Sequence, residues 1–114
     1  MKKVLLFNCS DSLIALLKNL NIEYRNIDLI YQNNTIKDLL TKDDLRVNHV
    51  LNFKESLIIF NDFTDNELDE ILSSMKQENI KTDLKCIVTE HNINWKIIKL
   101  YVELLKEKRA IQNV

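Results

Sequence analysis

The sequence contains neither glycine nor proline in its 114 residues. Without glycine, the phosphate-cradling P-loop and the dinucleotide-binding fingerprint cannot be built, because both need backbone that only glycine supplies. Without proline, no active site can rest on a cis-proline. Tight turns must fall on Asn, Asp or Ser, and Asn tolerates left-handed backbone best of the three. Abundant Lys, Asn and Ile also fit an AT-rich genome, a simpler source for part of the same bias.

Other absences narrow the class further. Only two cysteines are present, Cys9 and Cys86, far apart in sequence, so no disulfide scaffold is expected. The two histidines, His49 and His91, are isolated as well, and no metal-ligand spacing or cofactor is expected. Sixteen basic and 17 acidic side chains are mixed along the chain to a net charge of -1, which leaves no basic stripe for nucleic acid. No apolar run approaches the roughly 20 residues of a membrane helix. The opening Met1-Lys2-Lys3-Val4-Leu5-Leu6-Phe7 is faintly like a signal peptide. Its apolar run is too short, and polar Asn8, Ser10 and Asp11 follow at once. Asn8 is also a poor neighbour for lipoprotein cleavage at Cys9. A first strand is the better reading, in a single cytoplasmic α/β domain over residues 1–114.

What is present alternates between strand-like and helix-like periodicity. Strands are expected at Lys3 to Asn8, Glu23 to Asp28, Ser56 to Phe60 and Leu84 to Thr89. The second is the most polar and so an edge. Ser10 or Asp11 caps a helix with the face Leu13, Leu16, Leu17 and Leu20, and Asn21 followed by Ile22 closes it in place of glycine. Thr35 to Leu40 suggests a short helix, and Thr41 to Lys54 a loop with helical turns. Thr64-Asp65-Asn66-Glu67 is a capping box with Phe63 and Leu68 as its staple. The helix it starts has the stripe Leu68, Ile71, Leu72 and Met75, and Asn79-Ile80 closes it. A last helix runs from about Trp95 to about Arg109. Trp95, Ile98, Val102 and Leu105 share one face, widened by Ile97, Tyr101 and Leu104. No internal repeat is evident. Alternating strands and helices imply a small, mostly parallel four-stranded sheet in the order 2-1-3-4, with helices on both faces.

In such sheets ligands sit beyond the carboxyl ends of the strands. Three ends are expected to converge there: Asn8 to Asp11, Asn61 with Asp62, and Thr89 to Asn92. A thiol-dependent or other small enzyme using the strand-end rim around Cys9, Asp62 and Thr89 is the alternative function. The first strand, helix and "NIEYRNIDL" resemble the opening of a glutaredoxin-type protein, but the loop before Cys9 is too short. Asp62 and Thr89, at the expected ends of the third and fourth strands, resemble the phosphoacceptor Asp and switch Thr of receiver domains, yet the acidic pair after the first strand is missing. A structural cysteine and a solvated turn histidine are the plain readings of Cys9 and of His91 beside Glu90.

The stretch TEHNINW, residues 89–95, gathers the unusual residues. Asn94 is a suitable N-cap for the last helix, with Ile93 and Ile98 as staple. Thr89, Asn92 and Trp95 are then left to brace the turn or to face a ligand. Glu103, two turns beyond Trp95, is either an exposed carboxylate or part of the same groove.

These residues carry a resemblance. Lys85 to Thr89, then Thr89, Asn92 and Trp95, then Leu100, Glu103, Leu104 and Glu107 are similar to the C-terminal half of a bacterial family of small proteins. That family bears a domain of unknown function, with a strand, a T-x-x-N-x-x-W turn and a Glu-Leu-x-x-Glu-His helix. "FNDFTDNELDEILSSMK" resembles its preceding strand and helix. Glu90 replaces a frequent Pro, and Lys108 replaces the final His. The resemblance implies a fold and no activity. The expected function is therefore a binding module without catalysis, with Thr89, Asn92, Trp95 and Glu103 as binding residues. The partner is an unknown protein or small molecule, not nucleic acid or membrane, and homodimer formation through the last helix is a third reading.

Overall fold

The computed structural model describes residues 2–27, 34–42 and 53–112. The loop expected over Thr41 to Lys54 falls mostly outside them, as does His49. The elements are β1 (Lys3–Phe7), α1 (Asp11–Asn19), β2 (Tyr24–Asn26), α2 (Ile36–Thr41), β3 (Leu57–Asn61), α3 (Asp65–Gln77), β4 (Leu84–Ile87) and α4 (Ile97–Gln112). They form an α/β fold with a mixed four-stranded sheet in the order β2-β1-β3-β4. Two compact units divide the chain. One comprises Met1–Ile27 with Lys54–Ile87, the other Asp28–Phe53 with Val88–Val114.

The first unit holds the sheet. β1 pairs parallel to β2, and β3 parallel to β4. The central pair, β1 with β3, is antiparallel, with Leu5 opposite Ile59. Mostly parallel therefore describes the pairings, but the strand directions reverse at the centre. Each half is one β-α-β crossover, with its buried apolar first strand in the middle and its more exposed second strand outside.

The two halves also share their turn chemistry, a repeat that the sequence pattern alone does not expose. Left-handed backbone follows each central strand, at Asn8 with φ 54° and at Asp62 with φ 68°. Two residues later comes the helix cap. Ser10 accepts from Leu13 N–H, and Thr64 accepts from Glu67 N–H. Each helix then ends on a left-handed Asn, Asn21 or Asn79, with φ 56° in both. The closing hydrogen bonds match as well. Ile22 N–H reaches Leu17 O at 2.9 Å, and Ile80 N–H reaches Met75 O at 2.8 Å. These are Schellman turns, and the Asn occupies the position usually given to glycine. Four extra residues, about one helical turn, separate cap from closing Asn in the second half.

Val4, Leu6, Ile58 and Phe60 meet Leu13, Leu16, Leu17, Leu68, Ile71 and Met75 in one core cluster. The alternate residues Leu5, Phe7, Leu57 and Ile59 are fully buried too. Both central strands thus read as continuous apolar runs, as strands covered on two faces do. β4 differs. Leu84 is buried, whereas Lys85 and Ile87 are exposed. Leu72, expected in the buried stripe of α3, lies on its exposed margin instead.

In the second unit, α2 opens with a capping box that the sequence reading did not single out. Thr35 Oγ1 accepts from Asp38 N–H at 3.1 Å, and Asp38 Oδ2 accepts from Thr35 N–H at 3.3 Å. α4 buries Ile97, Leu100 and Tyr101, and Tyr101 stacks on Phe53 with ring centroids 4.4 Å apart. Trp95 and Ile98 are only half-buried and Val102 is exposed, so the buried stripe of α4 runs along Ile97 and Tyr101 rather than along Trp95, Ile98 and Val102.

Candidate functional site

The reversal at the sheet centre divides the expected rim. Phe7 lies opposite Leu57 and Lys3 opposite Asn61. The residues after β1, Asn8 to Asp11, therefore lie at the end of the sheet where β3 begins, away from Asn61 and Asp62. Cys9 shows the consequence. Its thiol donates to Leu57 O at 3.4 Å and to Phe7 O at 3.5 Å. Burial pushes it up to about 11, and the charge of Asp83 adds to the rise. An activated nucleophile needs the opposite shift. Cys9 and Asp62 thus do not share a rim, and a thiol enzyme built on both loses its geometry. Asp62 serves the turn with left-handed backbone. Among the described residues, no three His, Cys, Asp or Glu side chains gather to hold a metal ion.

The TEHNINW stretch is a hydrogen-bonded turn that precedes α4. Thr89 N–H donates to Asn92 Oδ1 at 2.8 Å, and Asn92 N–H donates to Thr89 Oγ1 at 3.3 Å. This is the reciprocal logic of a capping box, applied to a turn. Ile93 N–H returns to Thr89 O at 3.1 Å and Trp95 N–H to Asn92 O at 2.9 Å, which completes the loop in backbone.

α4 begins at Ile97, two residues later than the position expected from Asn94 as its cap. Asn94 is an exposed turn residue. The capping duty passes to backbone from the start of α2. Ile97 N–H donates to Asn34 O at 3.1 Å, while Ile36 N–H donates to Trp95 O at 3.0 Å and Lys37 N–H to Ile93 O at 2.9 Å. Thr35 and Lys96 pair as an isolated antiparallel bridge. First-turn amides lack partners within their own helix. Here the two helix starts satisfy each other's. Asn34, Ile36 and Lys37 are the members of this arrangement that sequence reasoning missed, because backbone partners leave no side-chain signature.

The fixed turn leaves Trp95 at the surface. Lys99 Nζ sits 4.4 Å from its ring centroid, a cation–π contact between residues four apart. Asn94, Trp95, Lys96, Ile98, Lys99 and Val102 line a shallow depression. Glu103 is not among them. It pairs with Lys106 at 3.7 Å on the helix surface, because Trp95 precedes the helix and its spacing to Glu103 does not follow helical register. The structure therefore joins Thr89 to Asn92 by side chains, joins Trp95 to them by backbone, and leaves Glu103 apart.

The stretch that builds this turn also lies in a segment that is similar to a family of domains. Residues 56–111 match a domain of unknown function, DUF3783. The DUF3783 match covers β3, α3, β4, the TEHNINW turn and all but the last residue of α4. Neither the curated proteins nor the solved structures yield a match to the chain. Among the described residues, no helix is long and apolar enough to cross a membrane.

Proposed function

We propose that this protein is a binding module without catalysis of its own, and that the face around Trp95 docks a protein partner. One observation carries the reading. Trp95 stands half-buried at the end of a turn braced by its own hydrogen bonds, beside Val102 of α4 on the same depression, and Val102 is 40% exposed. Aromatic side chains fixed in this way are frequent anchors of protein interfaces, since little conformational freedom remains to be lost on binding. Thr89 and Asn92 act by setting the turn. Lys96 and Lys99 supply a polar rim, and Glu103, paired with Lys106, is left out of it. On this reading the T-x-x-N-x-x-W pattern is the functional signature of the C-terminal part of the chain. The two free cysteines fit a reducing compartment, and with the bacterial resemblance they support a bacterial cytoplasmic location.

The test is capture from a lysate of the source organism with the wild-type chain, Trp95→Ala and Val102→Asp as parallel baits. The reading expects a protein held by the wild type and released by both variants, each shown folded by circular dichroism. A partner retained equally by all three baits contradicts it. A strict, concentration-independent monomer removes the homodimer reading.

A further inference from the structure

A second surface stands apart from the turn, within the sheet unit. β4 is the last strand of the sheet, and its Lys85 and Ile87 share the sheet face on which α3 packs, since they register with Ile58 and Phe60 of the core cluster. α3 covers the central strands but leaves that part of β4 open. A groove results. At one end it is lined by Met75, Lys76, Ile80 and Lys81, and at the other by Leu68 and Ile87, with Leu72 and Lys85 common to both ends. Its walls are apolar where apolar side chains are unexpected. Leu72 is 36% exposed and Ile87 53%. Large apolar groups clustered in a rimmed depression mark interaction surfaces more often than isolated ones do.

The rim carries one sign of charge. Lys76, Lys81 and Lys85 all line the groove, and among the described residues none of them is ion-paired. This is a local basic excess on a chain whose net charge is -1. A second copy of the chain is a poor occupant. A two-fold contact places the same patch on both sides, so the lysines of each copy would face those of the other. The complementary occupant is acidic, with apolar side chains to fill the space between α3 and β4. We propose that the α3–β4 groove binds an acidic peptide segment of a partner protein, in extended form, with its carboxylates on Lys76, Lys81 and Lys85 and its apolar residues against Leu72 and Ile87. An edge strand beside an apolar groove suits extended peptides, which use alternate side chains for specificity. This inference is independent of the Trp95 face, because it rests on residues of the other unit.

The test selects short random displayed peptides against the full chain, then titrates the best binder, labelled with fluorescein, by anisotropy. Enriched sequences are expected to combine Asp or Glu with Leu, Ile, Val or Phe. Affinity is expected to fall about tenfold or more in Lys81→Glu/Lys85→Glu and in Leu72→Asp, and to stay within about twofold in Lys81→Arg/Lys85→Arg and in Trp95→Ala. Raising salt should weaken it, because exposed charge pairs are screened. The charge-reversal sites are exposed, so those variants should fold, and circular dichroism checks this. Enrichment of neutral or basic peptides, no enrichment, or unchanged affinity in Lys81→Glu/Lys85→Glu overturns the proposal. So does preferential binding of phosphatidylserine vesicles over the selected peptides, which would indicate a lipid surface.

Discussion

Thr89 and Asn92 hold each other's backbone. The amide of each donates to the side-chain oxygen of the other, at 2.8 Å and 3.3 Å. Each residue therefore satisfies one amide of the turn through the other's side chain.

Asn92→Ala and Thr89→Ala should each lower stability by about 1 kcal/mol, as loss of a capping side chain does. Because the two bonds form one device, the double variant should cost less than the sum of the single variants. Urea unfolding of the four proteins checks this, and strict additivity would argue against a shared device.

The closing asparagines make a conformational prediction. Asn79 has left-handed backbone, with φ 56°. Asn79→Gly should leave stability within a few tenths of a kcal/mol of wild type, or raise it slightly, since glycine adopts this backbone freely. Asn79→Ala should cost roughly 1 kcal/mol, because a Cβ clashes in this region. Asn21, which has the same φ, should show the same order of effects.

Cys9 should behave as a shielded thiol. In a Cys86→Ser background, iodoacetamide should label it slowly at pH 8, with the rate rising toward pH 11, because the thiolate is the reactive form. Fast labelling at neutral pH would restore a nucleophilic role.

Glu67 gives a pH dependence. Lys2 and the Thr64 amide hold its carboxylate down to about 2, from an ordinary value of 4.5. The folded state therefore binds this proton less readily than the unfolded chain. Its contribution to stability is full above about pH 4.5 and is lost as pH falls toward 2. Glu67→Gln should flatten that part of the acid unfolding profile and leave the profile above pH 6 unchanged in shape. Salt should diminish the difference, since the pair is at the surface.

The legible parts of the fold were those written in side chains. With no glycine available, Asn21 and Asn79 were the candidate residues for closing the helices, and the Thr64–Glu67 box marked the start of α3. Thr35 and Asp38 carry the same spacing and were open to the same reading. The direction of β1 against β3 was not legible, because alternating strands and helices look alike whether the central pair runs parallel or antiparallel. That one reversal separates Cys9 from Asp62. Leu72 and Val102 show a second limit. Helical periodicity gives the width of an apolar stripe, but neighbouring elements decide which margin is covered. At the site, the Thr89-x-x-Asn92 spacing was readable, whereas the bonds from Asn34, Trp95 and Ile93 that join α2 to α4 are backbone to backbone and independent of side-chain identity.

Trp95 is the only tryptophan in the chain, so its emission reports on the proposed interface without any label. Titrating the wild-type protein with its captured partner, or with a tryptophan-free segment of that partner, is the direct measurement. If the Trp95 face docks the partner, emission shifts to shorter wavelength and saturates at the affinity found by an independent method, and Trp95→Phe binds more weakly. Saturable binding that leaves Trp95 emission and the affinity of Trp95→Phe unchanged would contradict the account.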